Sequence, residues 1–145
     1  MKRFIQRSAL ALGLLFAVAG VDAVTNSAQA ATCWGDYCSG QDPQAAGCGT
    51  DAYTVASARI PGTFSSYVEL RWSPSCKTNW ARVPASWGQS YPWQLRAYQC
   101  ATGYHQTGVS DSSSDYSWTR MIYSPTLGVS ARWTGQPGST ATACA

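Results

Sequence analysis

Tyr67-Val68-Glu69-Leu70-Arg71-Trp72-Ser73-Pro74 decides the fold. Val68, Leu70 and Trp72 alternate with Glu69, Arg71 and Ser73, a period of two that belongs to a strand with one buried face, and Pro74 closes the run. Outward from it the same signature recurs. Tyr53 to Ile60, Asn79 to Val83, Trp93 to Cys100, Ser117 to Tyr123 and Val129 to Trp133 read as strands, separated by Pro84, Pro92, the Gly103 to Ser114 stretch and Pro125. Six short strands with turn signals between them predict an all-β fold, a small antiparallel sandwich or barrel. Cys33 to Gly49, rich in Gly and Cys and poor in aliphatics, is expected to form a disulfide-stapled N-terminal loop region with at most one helical turn.

Because side chains alternate faces, parity divides the strand residues into two populations. Val68, Leu70, Trp72, Ala81, Val83, Leu95, Ala97, Met121, Tyr123, Val129, Ala131 and Trp133 form the expected core. Glu69, Arg71, Arg82, Arg96, Arg120 and Arg132 fall on the other side. There, Trp80 with Arg82, Arg96 with Tyr98, and Trp118 with Arg120 stand two residues apart, which predicts a ladder of arginines stacked on aromatics. Such a face is either plain surface packing or a contact for an acidic partner, making Arg82, Arg96 and Arg120 partner-binding candidates.

The chain has 145 residues, 17 of them charged, and is 45% apolar, so a long disordered polar chain is excluded. Met1 to Arg7 is basic, Ala9 to Val21 is apolar but too short to span a bilayer, and Ser27-Ala28-Gln29-Ala30 is a small-residue cleavage site. Residues 1–30 therefore read as a secretory signal peptide, leaving one domain over residues 31–145 that is free and extracellular, with no membrane segment after cleavage. A second cleavage site, after Ala23, would leave a short polar arm before Cys33. Beyond residue 30 seven basic residues face six acidic ones, too even a balance for a nucleic-acid partner.

All six cysteines, Cys33, Cys38, Cys48, Cys76, Cys100 and Cys144, follow the signal, and an even count in an exported chain predicts three disulfides. Chain distance suggests Cys33 with Cys38, Cys48 with Cys76 and Cys100 with Cys144, one of 15 possible connectivities. A zinc site on Cys33-x4-Cys38 would need ligands beyond the lone His105 and thiolates that oxidation removes; no metal and no cofactor is expected. Asp111-x-Ser113-x-Asp115 opens like a calcium loop, but Tyr116 and Ile122 stand where glycine and a bidentate Glu belong.

Cys33-x4-Cys38, Gly40-Gln41-Asp42-Pro43, Gly47-Cys48-x2-Asp51-Ala52, Val68 to Cys76 and Trp80-Ala81-Arg82, in that order, resemble the YjfA-like family of small secreted proteins of actinobacteria and bacilli. Met121-Ile122-Tyr123 and Ala131-Arg132 resemble its C-terminal part. Some members resemble the adaptor of umbrella-shaped toxin particles, where such a domain joins a lectin-bearing, protease-like subunit to a long repeat-containing chain. A segment before the domain helps to dock the partner there. Cleavage after Ala30 would leave this chain without that segment, whereas cleavage after Ala23 would leave Val24 to Thr32.

Enzymatic chemistry finds little support. His105 is the single imidazole and lies in a loop-like segment, with no Gly-x-Ser-x-Gly elbow anywhere. Of the acids Asp36, Asp42, Asp51, Glu69, Asp111 and Asp115, none is marked as a catalytic pair, and the first three sit where short carboxylates cap turns. Aromatics, by contrast, crowd the connections: Trp34 and Tyr37 near the start, and Trp87, Tyr91 and Trp93 in a Pro- and Gly-punctuated segment. They are interface anchors, sugar platforms or extensions of the core. The expected function is a non-enzymatic binding module, an adaptor or accessory subunit whose partner is another secreted protein, lectin-bearing or repeat-containing. A lectin-like or cell-wall-glycan binder is the alternative, and a protease inhibitor a third class.

Overall fold

The computed structural model describes residues 30–84, 93–109 and 116–145. Residues 1–29 of the expected signal peptide, Trp87, Tyr91 and the Asp111 to Asp115 stretch lie outside them. Among the described residues nine strands form: β1 (Tyr53–Arg59), β2 (Tyr67–Ser73), β3 (Thr78–Pro84), β4 (Gln94–Gln99), β5 (His105–Val109), β6 (Tyr116–Thr119), β7 (Ile122–Tyr123), β8 (Val129–Thr134) and β9 (Ser139–Ala141). They make an antiparallel, nearly closed barrel in the order β1-β2-β3-β6-β5-β4-β8-β9, with β7 also paired to β3.

The barrel is the expected all-β architecture, with more strands than the six predicted. β5 and β9 carry few apolar side chains and are strands because their backbones pair, β5 with both β4 and β6, and β9 with β8. His105 thus opens a strand instead of sitting in a loop. The run expected from Ser117 to Tyr123 breaks in two: Arg82, Val83 and Pro84 pair with β6, whereas Thr78 and Asn79 pair with β7. At the break, Thr119 Oγ1 accepts the Ala81 N–H at 3.1 Å, replacing a rung of the ladder and giving that buried amide a partner.

Interior packing follows parity. Val68, Leu70, Ala81, Val83, Leu95, Ala97, Val129, Ala131 and Trp133 are buried together with Ile60 and Ile122. Each side chain of Leu size so buried contributes about 1.5–3 kcal/mol. Trp72 and Tyr123 are only half-buried, and Met121 turns to a different cluster. Between β1 and β9, contact runs through the Pro61-Gly62 turn against Pro137 and Gly138. Gly62 is required there twice over: its φ is +76°, and a Cβ would come within 3.0 Å of Pro137.

Residues 30–52 form a strap outside the barrel, over β3 and β6. Its one helical turn is a short 3-10 segment, Gly35–Cys38. Under the strap lie Trp80 and Trp118, 1% and 7% exposed, in a cluster with Met121, Ala46, Cys33, Cys38, Cys48 and Cys76. Parity placed both tryptophans on the outer side, but the predicted pairing with Arg82 and Arg120 does not form, because the strap covers the indoles. The three disulfides are Cys33–Cys38, Cys48–Cys76 and Cys100–Cys144.

Candidate functional site

The Cys33–Cys38 disulfide closes a six-residue ring, Cys33-Trp34-Gly35-Asp36-Tyr37-Cys38, too short to fold its large side chains inward. Its two cysteines are buried against the barrel. Trp34 and Tyr37 consequently project, 77% and 74% exposed, with ring centroids 5.9 Å apart and planes tilted by 54°. Gly35, at φ +60°, makes the turn between them. Ser39 donates its backbone N–H to the Asp36 carbonyl and its hydroxyl to Asp36 Oδ1, and Gln41 Nε2 donates to the Tyr37 carbonyl at 2.7 Å.

The ring stands on a fixed base. Asp42 Oδ1 accepts the N–H groups of Gln44 and Ala45, while Oδ2 accepts Trp118 Nε1 at 2.9 Å. One carboxylate therefore shapes the strap and pins it to β6. Gly40 N–H donates to the Met121 carbonyl, Met121 N–H to the Gln41 carbonyl, and Arg120 Nη1 to the Gly40 carbonyl at 2.7 Å. Tyr123 N–H donates to Ser39 Oγ. Large exposed aromatics on an immobile support are what protein interfaces use as anchors, because little side-chain and backbone freedom is lost on binding.

A second carboxylate fastens the far end of the strap. Asp51 accepts the Ser73 hydroxyl at 2.7 Å on one oxygen and the Ser75 N–H at 2.9 Å on the other. Burial is the largest single influence and pushes its pKa up, but the hydrogen bonds from Ser73 and Ser75 together outweigh it and hold the carboxyl below its ordinary 3.8. A carboxyl so depressed stabilises the fold above its unfolded value, and that contribution disappears as the pH falls through the folded value. Asp51 is exposed, so solvent screening keeps the effect small. Thermal melts of the parent and Asp51→Asn should differ most near neutral pH and converge as the pH falls below about 4; a constant gap would refute the linkage.

The arginines have separate duties. Arg82 Nε donates to Glu69 Oε2 at 2.7 Å and its guanidinium lies 4.1 Å from the Tyr116 ring centroid. Arg71 donates to the Ala52 carbonyl and Thr54 Oγ1; burial and then the neighbouring Arg82 charge lower its pKa. Arg120 holds the strap. Arg96 bonds Gln94 Oε1 at 2.8 Å, and Arg132 stacks on Tyr98, 3.4 Å from its centroid. The predicted two-residue ladder is thus replaced by diagonal cross-strand pairs, Arg82 with Tyr116 and Arg132 with Tyr98. Of Arg82, Arg96 and Arg120, only Arg96 is left without an anchoring role.

The other predicted positions among the described residues do not converge on the ring. Trp93 is half-buried and packs on the interior core. His105 is exposed, its Nδ1 3.3 Å from the Gly103 carbonyl and its ring stacked on Tyr98 at 6.4 Å; among the described residues no hydroxyl or carboxylate is bonded to it. The sulfurs of Cys33, Cys38, Cys48 and Cys76 all lie within 4.8 Å of one another. Joined as two disulfides, they offer no thiolate to a metal. Phe64, 95% exposed at the β1–β2 turn, had no distinguishing signal in the sequence, whereas Arg132, grouped by parity with Arg96, takes the Tyr98 ring that parity paired with Arg96.

No curated protein and no solved structure is significantly similar to this chain. One family is: its match runs over residues 36–132, from within the stapled ring through the strap and on into β8, and on that extent the chain belongs to the family described as protein of unknown function DUF2690.

Proposed function

We propose that the protein is a secreted, non-enzymatic binding module, an adaptor or accessory subunit that joins other secreted proteins in an extracellular, toxin-like assembly through Trp34 and Tyr37. The observation that carries this reading is the pair of exposed aromatics on a disulfide-closed ring whose base is hydrogen-bonded at Asp36, Gly40, Asp42 and Met121. Three disulfides suit an oxidising compartment, in keeping with the basic and apolar N-terminal segment. The resemblance to YjfA-like proteins, some of them adaptor-like, points the same way.

The test is affinity capture of the tagged protein from its producer's culture fluid, with partners identified by mass spectrometry and Kd measured on the purified pair. A stoichiometric secreted partner is expected, with Trp34→Ala and Tyr37→Ala each weakening it by about 2 kcal/mol, roughly thirtyfold. A protein that elutes alone, or a complex indifferent to both substitutions, would overturn the adaptor reading. Retention on cell-wall polysaccharide, lost in the same variants, would establish the lectin-like alternative instead.

A further inference from the structure

The outer face of β5, β4, β8 and β9 carries a row that the register makes explicit: Thr107 opposite Arg96, Arg96 opposite Arg132, Arg132 opposite Ala141. Two arginines thus hold directly opposed positions of an antiparallel pair, their guanidiniums turned apart to Gln94 and Tyr98, an arrangement that costs stability unless something negative lies between them. Among the described residues nothing does. The one ion pair there is Arg82 with Glu69, and the groups relieving Arg96 and Arg132 are the neutral Gln94 and Tyr98.

Hydrogen bonding singles out the same place. Arg96 Nε, Arg132 Nε and Trp133 Nε1 are the buried side-chain polar atoms without a partner among the described residues, and all three are donors. The two arginines line one cavity of about 450 Å³, walled also by Thr134, Ser139 and Thr140, whereas the Trp133 indole belongs to the interior core. Buried donors lacking acceptors are expensive, and two of them on neighbouring arginines call for an acceptor-rich anion.

We infer that this cavity binds the oxyanion of an acidic sugar, a uronate carboxylate or a sulfate ester, against Arg96 and Arg132. A planar fork suits either oxyanion, and the Thr and Ser hydroxyls of the wall suit a hydroxylated ligand, which offers both donors and acceptors. An acidic peptide fits less well. β4 and β8, which carry the two arginines, are each paired on both sides, so an extended chain finds no backbone edge beside the arginines themselves; the free edge is that of the three-residue β9. Arg96 also borders a second cavity of about 350 Å³, walled by Gln94, Thr107 and the half-buried Trp93, with room for an adjoining sugar ring. The site shares no residue with the Trp34–Tyr37 ring and stands independently of the adaptor reading.

The disulfide-bonded protein should be titrated by calorimetry with digalacturonate, a sulfated disaccharide, cellobiose and an oligoglutamate peptide. Binding of one or both anionic disaccharides is expected, weaker at high salt and reduced about tenfold or more by Arg96→Gln or Arg132→Gln. Which disaccharide binds identifies the oxyanion; cellobiose should not bind. Arg96→Gln should melt no lower than the parent, since a like-charge contact is removed. Arg132→Lys, which keeps charge but not the fork, provides the control if Arg132→Gln fails to fold, and should bind more weakly than the parent. No binding of either anionic disaccharide, binding unchanged in these variants, or oligoglutamate binding as tightly would each overturn the inference.

Discussion

Trp80→Ala is expected to lower the free energy of unfolding by about 3–5 kcal/mol, read from urea or guanidinium titration of the disulfide-bonded protein. Trp80 is 1% exposed and lies where the strap meets β3, among the Cys33–Cys38 and Cys48–Cys76 disulfides, Trp118 and Met121. Its neighbours are fixed on both sides, by covalent links above and the strand ladder below, so a cavity left there collapses poorly. Trp80→Phe, which keeps a ring but leaves part of the space empty, should lose less. A loss below about 1 kcal/mol for Trp80→Ala would mean that the strap does not depend on this indole.

The paired substitution Cys100→Ser and Cys144→Ser is expected to cost on the order of 4 kcal/mol, against about 2 for Cys33→Ser with Cys38→Ser, on the chain-entropy estimate. The two bridges span 44 and 5 residues respectively, and the longer loop restricts the unfolded chain more. The longer bridge also holds a region where backbone contacts continue past β9: Cys100 N–H donates to the Gly128 carbonyl, and Val129 and Ala145 exchange both their backbone hydrogen bonds. Denaturation midpoints of the two double variants provide the check. An equal or reversed order would show that native-state contacts outweigh loop closure.

The barrel was legible wherever side chains vary with strand period, and obscure wherever pairing rests on backbone alone. Val68, Leu70, Val83, Leu95 and Val129 announce their face because burial requires apolar groups at every second position. His105-Gln106-Thr107-Gly108-Val109 and Ser139-Thr140-Ala141 make no such demand, since neighbouring strands supply their order. Parity also says which side a residue takes without saying what covers that side. Trp80 and Trp118 were therefore placed outward correctly and yet are buried, under a strap whose Gly- and Cys-rich sequence reads as loop. The arginine pairings failed for a related reason. Long side chains reach diagonal neighbours on the adjacent strand, and strand register was not available from one sequence.

More of the aromatic site could be read in advance. Two cysteines five positions apart leave no room for Trp34 and Tyr37 to turn inward, so their exposure follows from covalent geometry alone. The rigidity beneath them depends on contacts 76 to 84 positions away, from Trp118 to Asp42, Arg120 to Gly40 and Tyr123 to Ser39, which local pattern does not carry.

The gap between β1 and β9 gives the molecule an uneven resistance to unravelling. The sheet path ends at those two strands, and the turns beside them meet through prolines and glycines. β9 has three residues and β1 breaks register between Thr54 and Ala56. Thermal fluctuation therefore peels the barrel from this seam at the least cost, one hydrogen-bonded neighbour at a time. β3, which joins β2, β6 and β7 and bears the strap, lies inward of it and lets go late. The aromatic ring thus rides on the part of the protein that stays whole while its margin breathes.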